Sequence, residues 1–277
     1  MFDYNDTIYN NSRGKTLICA HRGASGGNIP CNSMAAFSAA LLQGADMIEL
    51  DITKSADGKY FVFHPGKEPA HLKKRTLISV MKSSKVKKLR FVNQDNDETQ
   101  FSVSELCDVL DFLRGKCYIN VDKYQSDIPG ITKELRRAGV EKQAVVKTDP
   151  KEKYLSAIRE CAPDIMFLPI VRDTDEITAG LRKNGINCIG AEVLFEKESA
   201  AVASPEYIEK MHKNGMIVFV NAEVYSYKAV LSAGHNDDVS VSDDPEKGWG
   251  WLIDRGFDVI QTDWCGQLRA FTDSRKR

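Results

Sequence analysis

The chain has 277 residues, a formal net charge of −1, and 42% hydrophobic against 28% charged side chains. That is apolar material for one large core or two modest ones, and the near-zero charge excludes the global positive field of a nucleic-acid binder. No apolar run approaches the roughly 18 residues of a membrane-spanning helix, and the opening stretch MFDYNDTIYNNSRGK has no export-signal core, so a cytoplasmic protein without stable membrane insertion is expected.

Short apolar runs alternate with amphipathic stretches almost from end to end. The predicted strands are Thr16–Ala20, Met47–Thr53, Cys117–Val121, Gln143–Lys147, Ile165–Val171, Ile186–Val193, Met216–Asn221 and Val259–Thr262. Helical periodicity falls between them, over Ser33–Gln43, Ser104–Leu113, Ile131–Ala138, Lys151–Cys161, Thr174–Asn184, Pro205–Asn214 and Glu246–Asp254. Glycines at 44, 139, 185, 215 and 256 stand where helices stop. Eight strands alternating with helices imply an α/β fold with a parallel sheet, and eight is the count of a (β/α)8 TIM barrel. The competing doubly wound sheet lacks its glycine-rich phosphate fingerprint after the first strand.

One stretch interrupts the rhythm. SADGKYFVFHP reads as a tight turn at Asp57-Gly58 and a returning strand, Tyr60–His64. Residues 67–90 then carry nine Lys or Arg against the single acid Glu68, whereas residues 91–113 carry six acids and no Lys or Arg. The expectation is a single barrel domain over residues 1–277, with a small insertion over 65–103 between strand two and its helix. The basic run reads first as a solvated face, and otherwise as a cap drawing anionic phosphodiesters or lipid headgroups to the mouth. The seven cysteines, at 19, 31, 107, 117, 161, 188 and 265, form no CxxC pair. They read as reduced, mostly buried thiols.

The chemistry concentrates at strand ends. In Met47–Ile52 the side-chain period of two puts Glu49 and Asp51 on one face and Ile48, Leu50 and Ile52 on the other. With the apolar set against the helices, two carboxylates face the barrel axis, where they repel unless a cation joins them. A hard divalent ion, Mg2+ or Ca2+, suits such oxygen ligands. His21 and Arg22 follow strand one, Asp122 and Lys123 follow strand three, and His64 ends the returning strand. All converge at the C-terminal mouth of a barrel. Two imidazoles, three carboxylates, an arginine and a lysine are the parts of a phosphoester-cleaving site.

The stretch AHRGASGGNIPCNSMAAFSAALLQGADMIELDITKSADGKYFVFHPG resembles the N-terminal signature of glycerophosphodiester phosphodiesterases: HRG, PENT, a helix, GAD-x-IE-x-D, a DG turn and HD. CYINVDKY and GFDVIQTD look like the family's third and eighth strands, so the likeness is dense over 17–66 and ordered to 263. It implies His21 and His64 as the acid/base pair, Arg22 and Lys123 as phosphate neighbours, and Glu49, Asp51 and Asp122 as ligands of a divalent ion. The implied activity is hydrolysis of glycerophosphodiesters to an alcohol and glycerol 3-phosphate, with attack by a vicinal hydroxyl and a cyclic phosphate left open. The sequence departs from the pattern at Cys31 for the PENT glutamate, Pro65 for the aspartate after the second histidine, Asp122 for glutamate, and Val218 for an aromatic on strand seven.

Other readings remain at this stage. Lysophospholipid or sugar phosphodiesters are alternative substrates, lipid being disfavoured by the absence of an evident apolar lip. A Schiff-base aldolase would use Lys123 or Lys147 but leaves Glu49 and Asp51 without purpose. A catalytically silent phosphate-binding protein would account for Cys31 and Pro65. Lys147 stands either as a phosphate contact or as a solvated lysine. Glu192, Asn221 and Glu223 are candidate pocket residues, Asp263 and Trp264 a barrel rim, and His71, His212 and His235 surface histidines. Oligomeric state is not legible.

Overall fold

The computed structural model of the protein describes residues 6–275. Both ends of the expected 1–277 domain, and the first five residues of the non-apolar opening stretch, lie outside the described residues. Among the described residues there are eleven strands: β1 (Leu17–Ala20), β2 (Met47–Lys54), β3 (Tyr60–Val62), β4 (Arg90–Val92), β5 (Glu98–Ser102), β6 (Tyr118–Asp122), β7 (Ala144–Thr148), β8 (Met166–Arg172), β9 (Gly190–Leu194), β10 (Ile217–Asn221) and β11 (Val259–Thr262). Eight of them pair in parallel in the order β1-β11-β10-β9-β8-β7-β6-β2, and Cys19↔Met47 and Ala20↔Ile48 close the ring. This is the expected (β/α)8 barrel.

Strand parity sorts the interior. Ile18, Ala20, Ile48, Leu50, Ile52, Ile119, Val121, Val218, Val220 and Ile260 point outward into the core shared with the helices. Leu17, Cys19, Met47, Tyr118, Val145, Leu168, Ile217, Phe219 and Val259 fill the barrel's inner floor, with Ile8 of a short N-terminal helix, Ile8–Ser12, packed among them. Above that floor the inward positions turn polar, and burial there is what makes the mouth chemically active. Val218 faces the helices, so its departure from the resemblance leaves the cavity wall unaltered.

Helix ends follow local chemistry. The Ser33 hydroxyl accepts from the Ala36 N–H at 3.2 Å and starts Met34–Leu42. Gly256, at φ 100°, ends Trp251–Arg255. Thr174–Asn184 is helical only from Thr178, because Asp175 accepts from the Ile177 and Thr178 N–H groups and turns the chain there. The predicted elements do not include helix Asp237–Ser242, the β4–β5 hairpin, the short helices Ile8–Ser12, Glu68–Leu72 and Ser83–Val86, or helix Cys265–Ser274, which supplies the barrel's last helix.

In β9 the chain runs against β10 so closely that a Cβ on Gly190 would stand 2.0 Å from the Ile217 carbonyl oxygen. Gly190→Ala is expected to destabilise by about 3 kcal/mol or more through forced backbone displacement, read as a lowered urea midpoint at unchanged slope.

β3 returns antiparallel on β2. The segment after it has a small core of its own, in which Leu72, Ile78, Met81, Val86, Leu89 and Phe91 pack on Phe61, Phe63 and Val103. Those apolar positions anchor the basic run, and all nine of its cations are exposed. Only Lys67 among the nine lines the central cavity, which supports the solvated-face reading for the rest.

Candidate active site

The carboxylates come from neighbouring strands, with β2 and β6 in register so that Glu49 stands beside Asn120 and Asp51 beside Asp122. Ligand oxygens of Glu49, Asp51 and Asp122 all lie within 4.8 Å of one another. Asp51 is fully buried. Its Oδ2 is ion-paired with Arg22 Nε at 2.9 Å and accepts from Asn32 Nδ2 at 2.9 Å. Its Oδ1 has no hydrogen-bond donor; Lys123 Nζ stands 3.5 Å away and the His64 Nε2 nitrogen 3.8 Å away. Glu49 Oε2 accepts from the Arg22 N–H at 3.0 Å, and burial together with Asp51 pushes its carboxyl up to about 7. Burial also pushes Asp122 upward, but Lys147 and Lys123 outweigh it and hold that carboxyl well below the usual range.

Three carboxylates in one cradle, Glu49 and Asp51 buried and Asp122 partly so, with Asp51 Oδ1 undonated, fit a hard divalent cation. In this structure Lys123 does part of that neutralising, its Nζ 2.6 Å from Asp122 Oδ2 and its N–H donating to Asp122 Oδ1 at 2.6 Å. The shorter aspartate therefore remains in reach of the cluster. Arg22, Asn32 and Lys123 all adopt left-handed backbone (φ 56°, 56° and 62°). Each costs about 1–3 kcal/mol for a non-glycine residue, a strain typical of functional sites.

The two imidazoles line the same cavity, His21 after β1 and His64 after β3. His21 Nδ1 is bonded to Asp263 Oδ1 at 2.9 Å. Burial lowers the His21 pKa, but Asp263, Glu223 and Glu49 outweigh burial and raise it to about 9. His64 Nδ1 donates to the Pro65 carbonyl at 2.9 Å, which leaves Nε2 unprotonated and facing Asp51. Burial, with Lys123 and Arg22, lowers the His64 pKa despite Asp51. Pro65, unexpected beside this histidine, holds it through its carbonyl instead of a carboxylate.

The cavity has a volume of about 1110 Å3. A buried pair spans the cavity from β7, next to the carboxylate-bearing β6, to β9, with Lys147 Nζ 2.9 Å from Glu192 Oε2, so Lys147 is not a solvated lysine. Asn221 and Glu223 line it too. Asp263 is more than a rim residue, since it holds His21. His71 also lines the cavity, half-buried with its ring edge-on to Phe63, and is no surface histidine. His212 pairs with Asp258 at 2.9 Å, and His235 stacks on Trp251 at 3.8 Å. Trp264, expected at the barrel rim, and Tyr225, which the sequence did not single out, are 42% and 67% exposed and supply aromatic surface at the cavity rim. Asn32, bonded twice to Asp51, was missed entirely; its place in the PCNS run where the resemblance has PENT was the available signal. All seven cysteines are free, and burial pushes the Cys31 thiol beside Arg22 up to about 11, which disfavours a nucleophilic thiolate.

Fold and site together define a parallel α/β-barrel protein with a candidate metal centre and paired imidazoles at its C-terminal mouth. Residues 21–263 match the model of the glycerophosphoryl diester phosphodiesterase family, and the chain belongs to that family. A glycerophosphodiester phosphodiesterase of Caldanaerobacter subterraneus subsp. tengcongensis is 33% identical over 133 residues, a match covering 45% of this chain and 52% of the relative's length. The crystal structure of a glycerophosphoryl diester phosphodiesterase from Parabacteroides distasonis superposes with a TM-score of 0.77 at 21% identity, covering 94% of this chain and 87% of that one. An Oleispira antarctica phosphodiesterase, solved with the product sn-glycerol-3-phosphate, gives a TM-score of 0.65 at 17% identity over 93% of this chain and 96% of its own. These two likenesses establish the shared fold.

Proposed function

We propose that this chain is a metal-dependent phosphodiesterase, hydrolysing glycerophosphodiesters to an alcohol and glycerol 3-phosphate within a single domain bearing an insertion at 65–103. The observation that carries the reading is the cluster of Glu49, Asp51 and Asp122 oxygens within 4.8 Å, bordered by Arg22, Lys123 and His64. Product-bound Oleispira antarctica phosphodiesterase, a fold neighbour, supports it. Glu49, Asp51 and Asp122 would hold Mg2+ or Ca2+, which when bound neutralises and polarises the phosphoryl group. Arg22 and Lys123 supply the remaining positive charge to the phosphate oxygens. His64, unprotonated at Nε2, removes the proton of the attacking water or vicinal hydroxyl. His21, held as imidazolium by Asp263, protonates the departing alkoxide. Among the described residues no helix is long and apolar enough to cross a membrane; we place the enzyme in the cytoplasm, acting on a small-molecule substrate and without nucleic acid.

The test is phosphomonoester release from a diester panel. EDTA is expected to lower turnover at least 100-fold, with recovery on adding Mg2+ or Ca2+. Full activity in chelator overturns metal dependence. Phosphorus NMR of the same mixtures reads a persistent cyclic phosphate as the sign of intramolecular attack. The Lys123 ammonium between Asp51 and Asp122 favours a second reading, a silent phosphate-binding protein, for which diester binds without turnover under every metal.

A further inference from the structure

Along β9, β10 and β11 the cavity wall is built of acceptors whose partners' donor ends are already used. Asn221 Nδ2 donates to Glu192 Oε1 at 2.8 Å, Gln261 Nε2 donates to Glu223 Oε1 at 2.9 Å, and Lys147 lies 2.9 Å from Glu192 Oε2. That commitment leaves Asn221 Oδ1 and Glu223 Oε2 buried without a donor. Both side chains line the cavity and are only 2% and 5% exposed. Unpaired buried acceptors are penalised, and a ligand that brings donors removes the penalty. The hydrolytic roles proposed above use neither residue.

We propose that Asn221 and Glu223, braced by the Lys147–Glu192 pair and Gln261, form a hydroxyl-binding wall that selects phosphodiesters whose alcohol is a polyhydroxylated ring, an inositol or a sugar. The inference rests on the phosphodiesterase reading of the same cavity. Lys147 neutralises Glu192, and burial pushes the Glu223 carboxyl up to about 8 against the opposing charge of His21, so no net negative charge on this wall calls for a cationic alcohol. A quaternary ammonium such as choline has no N–H to give and would leave both oxygens unpaired. Ring hydroxyls satisfy them. Tyr225 and Trp264 at the rim offer flat faces to the ring's C–H surface, and about 1110 Å3 is more room than glycerol 3-phosphate alone requires. Sites built to bond a hydroxyl reject analogues lacking it far more strongly than apolar pockets reject a methylene.

The experiment compares kcat/KM of the full chain on glycerophosphoinositol, a glycerophospho-hexose and glycerophosphocholine. At least one ring diester is expected to exceed the choline diester about 10-fold or more, and which one leads separates inositol from sugar. In Glu223→Gln and Asn221→Ser that ratio is expected to collapse toward one, the ring diester losing at least 10 times more than the choline diester. Equal or better use of choline, or a ratio unmoved by both substitutions, overturns the proposal. If no diester is turned over, the hydrolytic reading fails and calorimetry with myo-inositol 1-phosphate, a hexose phosphate and phosphocholine decides. A ring phosphate binding about 10-fold tighter or more keeps the wall, whereas equal binding removes it.

Discussion

Asp51→Asn is expected to lower kcat/KM about 1000-fold or more, some 4 kcal/mol of transition-state stabilisation. Asp51 is the buried hub on which Arg22 and Asn32 are fixed and toward which Lys123 and His64 point. The amide keeps the shape but removes the charge and one acceptor. Two consequences separate this from simple misfolding. Far-UV dichroism and the barrel's cooperative unfolding should persist, and added Mg2+ or Ca2+ should no longer restore activity. A variant with full turnover and an intact metal response would show that the cation, or the phosphate, is held elsewhere.

His21→Gln is expected to cost 100- to 10,000-fold in kcat, the usual span for a lost general acid. The milder Asp263→Asn tests how His21 acts. In the folded protein His21 is raised to about 9 by Asp263, Glu223 and Glu49 against burial, so an imidazolium acid is present below that value and lost as pH rises through it. A cation bound at the carboxylates opposes the shift, so the alkaline limb falls at or below about 9. Asp263→Asn removes the bonded anion and should move that limb to lower pH, with a fall in kcat of about 10-fold. The control is a diester with a good leaving group such as p-nitrophenol, for which the need for protonation, and so the penalty, shrinks. An equal penalty for both leaving groups assigns His21 to another role.

The barrel was readable because each strand is short, apolar on one parity and followed by a helix with its own stop. In β2 that parity also disclosed the chemistry: only an inward face explains Glu49 and Asp51 between Ile48, Leu50 and Ile52. The resemblance added roles that periodicity has no means to give. What stayed hidden depended on long-range pairing. Lys147 reads as either a phosphate contact or a solvated lysine until β7 and β9 bring it against Glu192, 45 positions later. Asp263 reads as rim until ring closure places β11 beside β1 and its carboxylate on His21. Trp264 is placed at the rim by its position just after the last strand, whereas Tyr225 lies in a loop with no period and left no local mark. The β4–β5 hairpin, marked by polar residues and a turn at Asn96, owes its pairing to a small separate core.

The Lys123 ammonium between Asp122 and Asp51 has a bearing on how an ion would enter. Metal uptake at such a cradle is a swap of one cation for another and not the filling of a hole. The stripped protein should therefore stay folded, its repulsion quenched from within, and loading should be reversible and steepen with pH as the displaced lysine competes. Lys123→Met, which takes the internal competitor away, should hold Mg2+ or Ca2+ more tightly while handling phosphate less well: a division between grip and turnover that calorimetry and steady-state rates on one sample would expose.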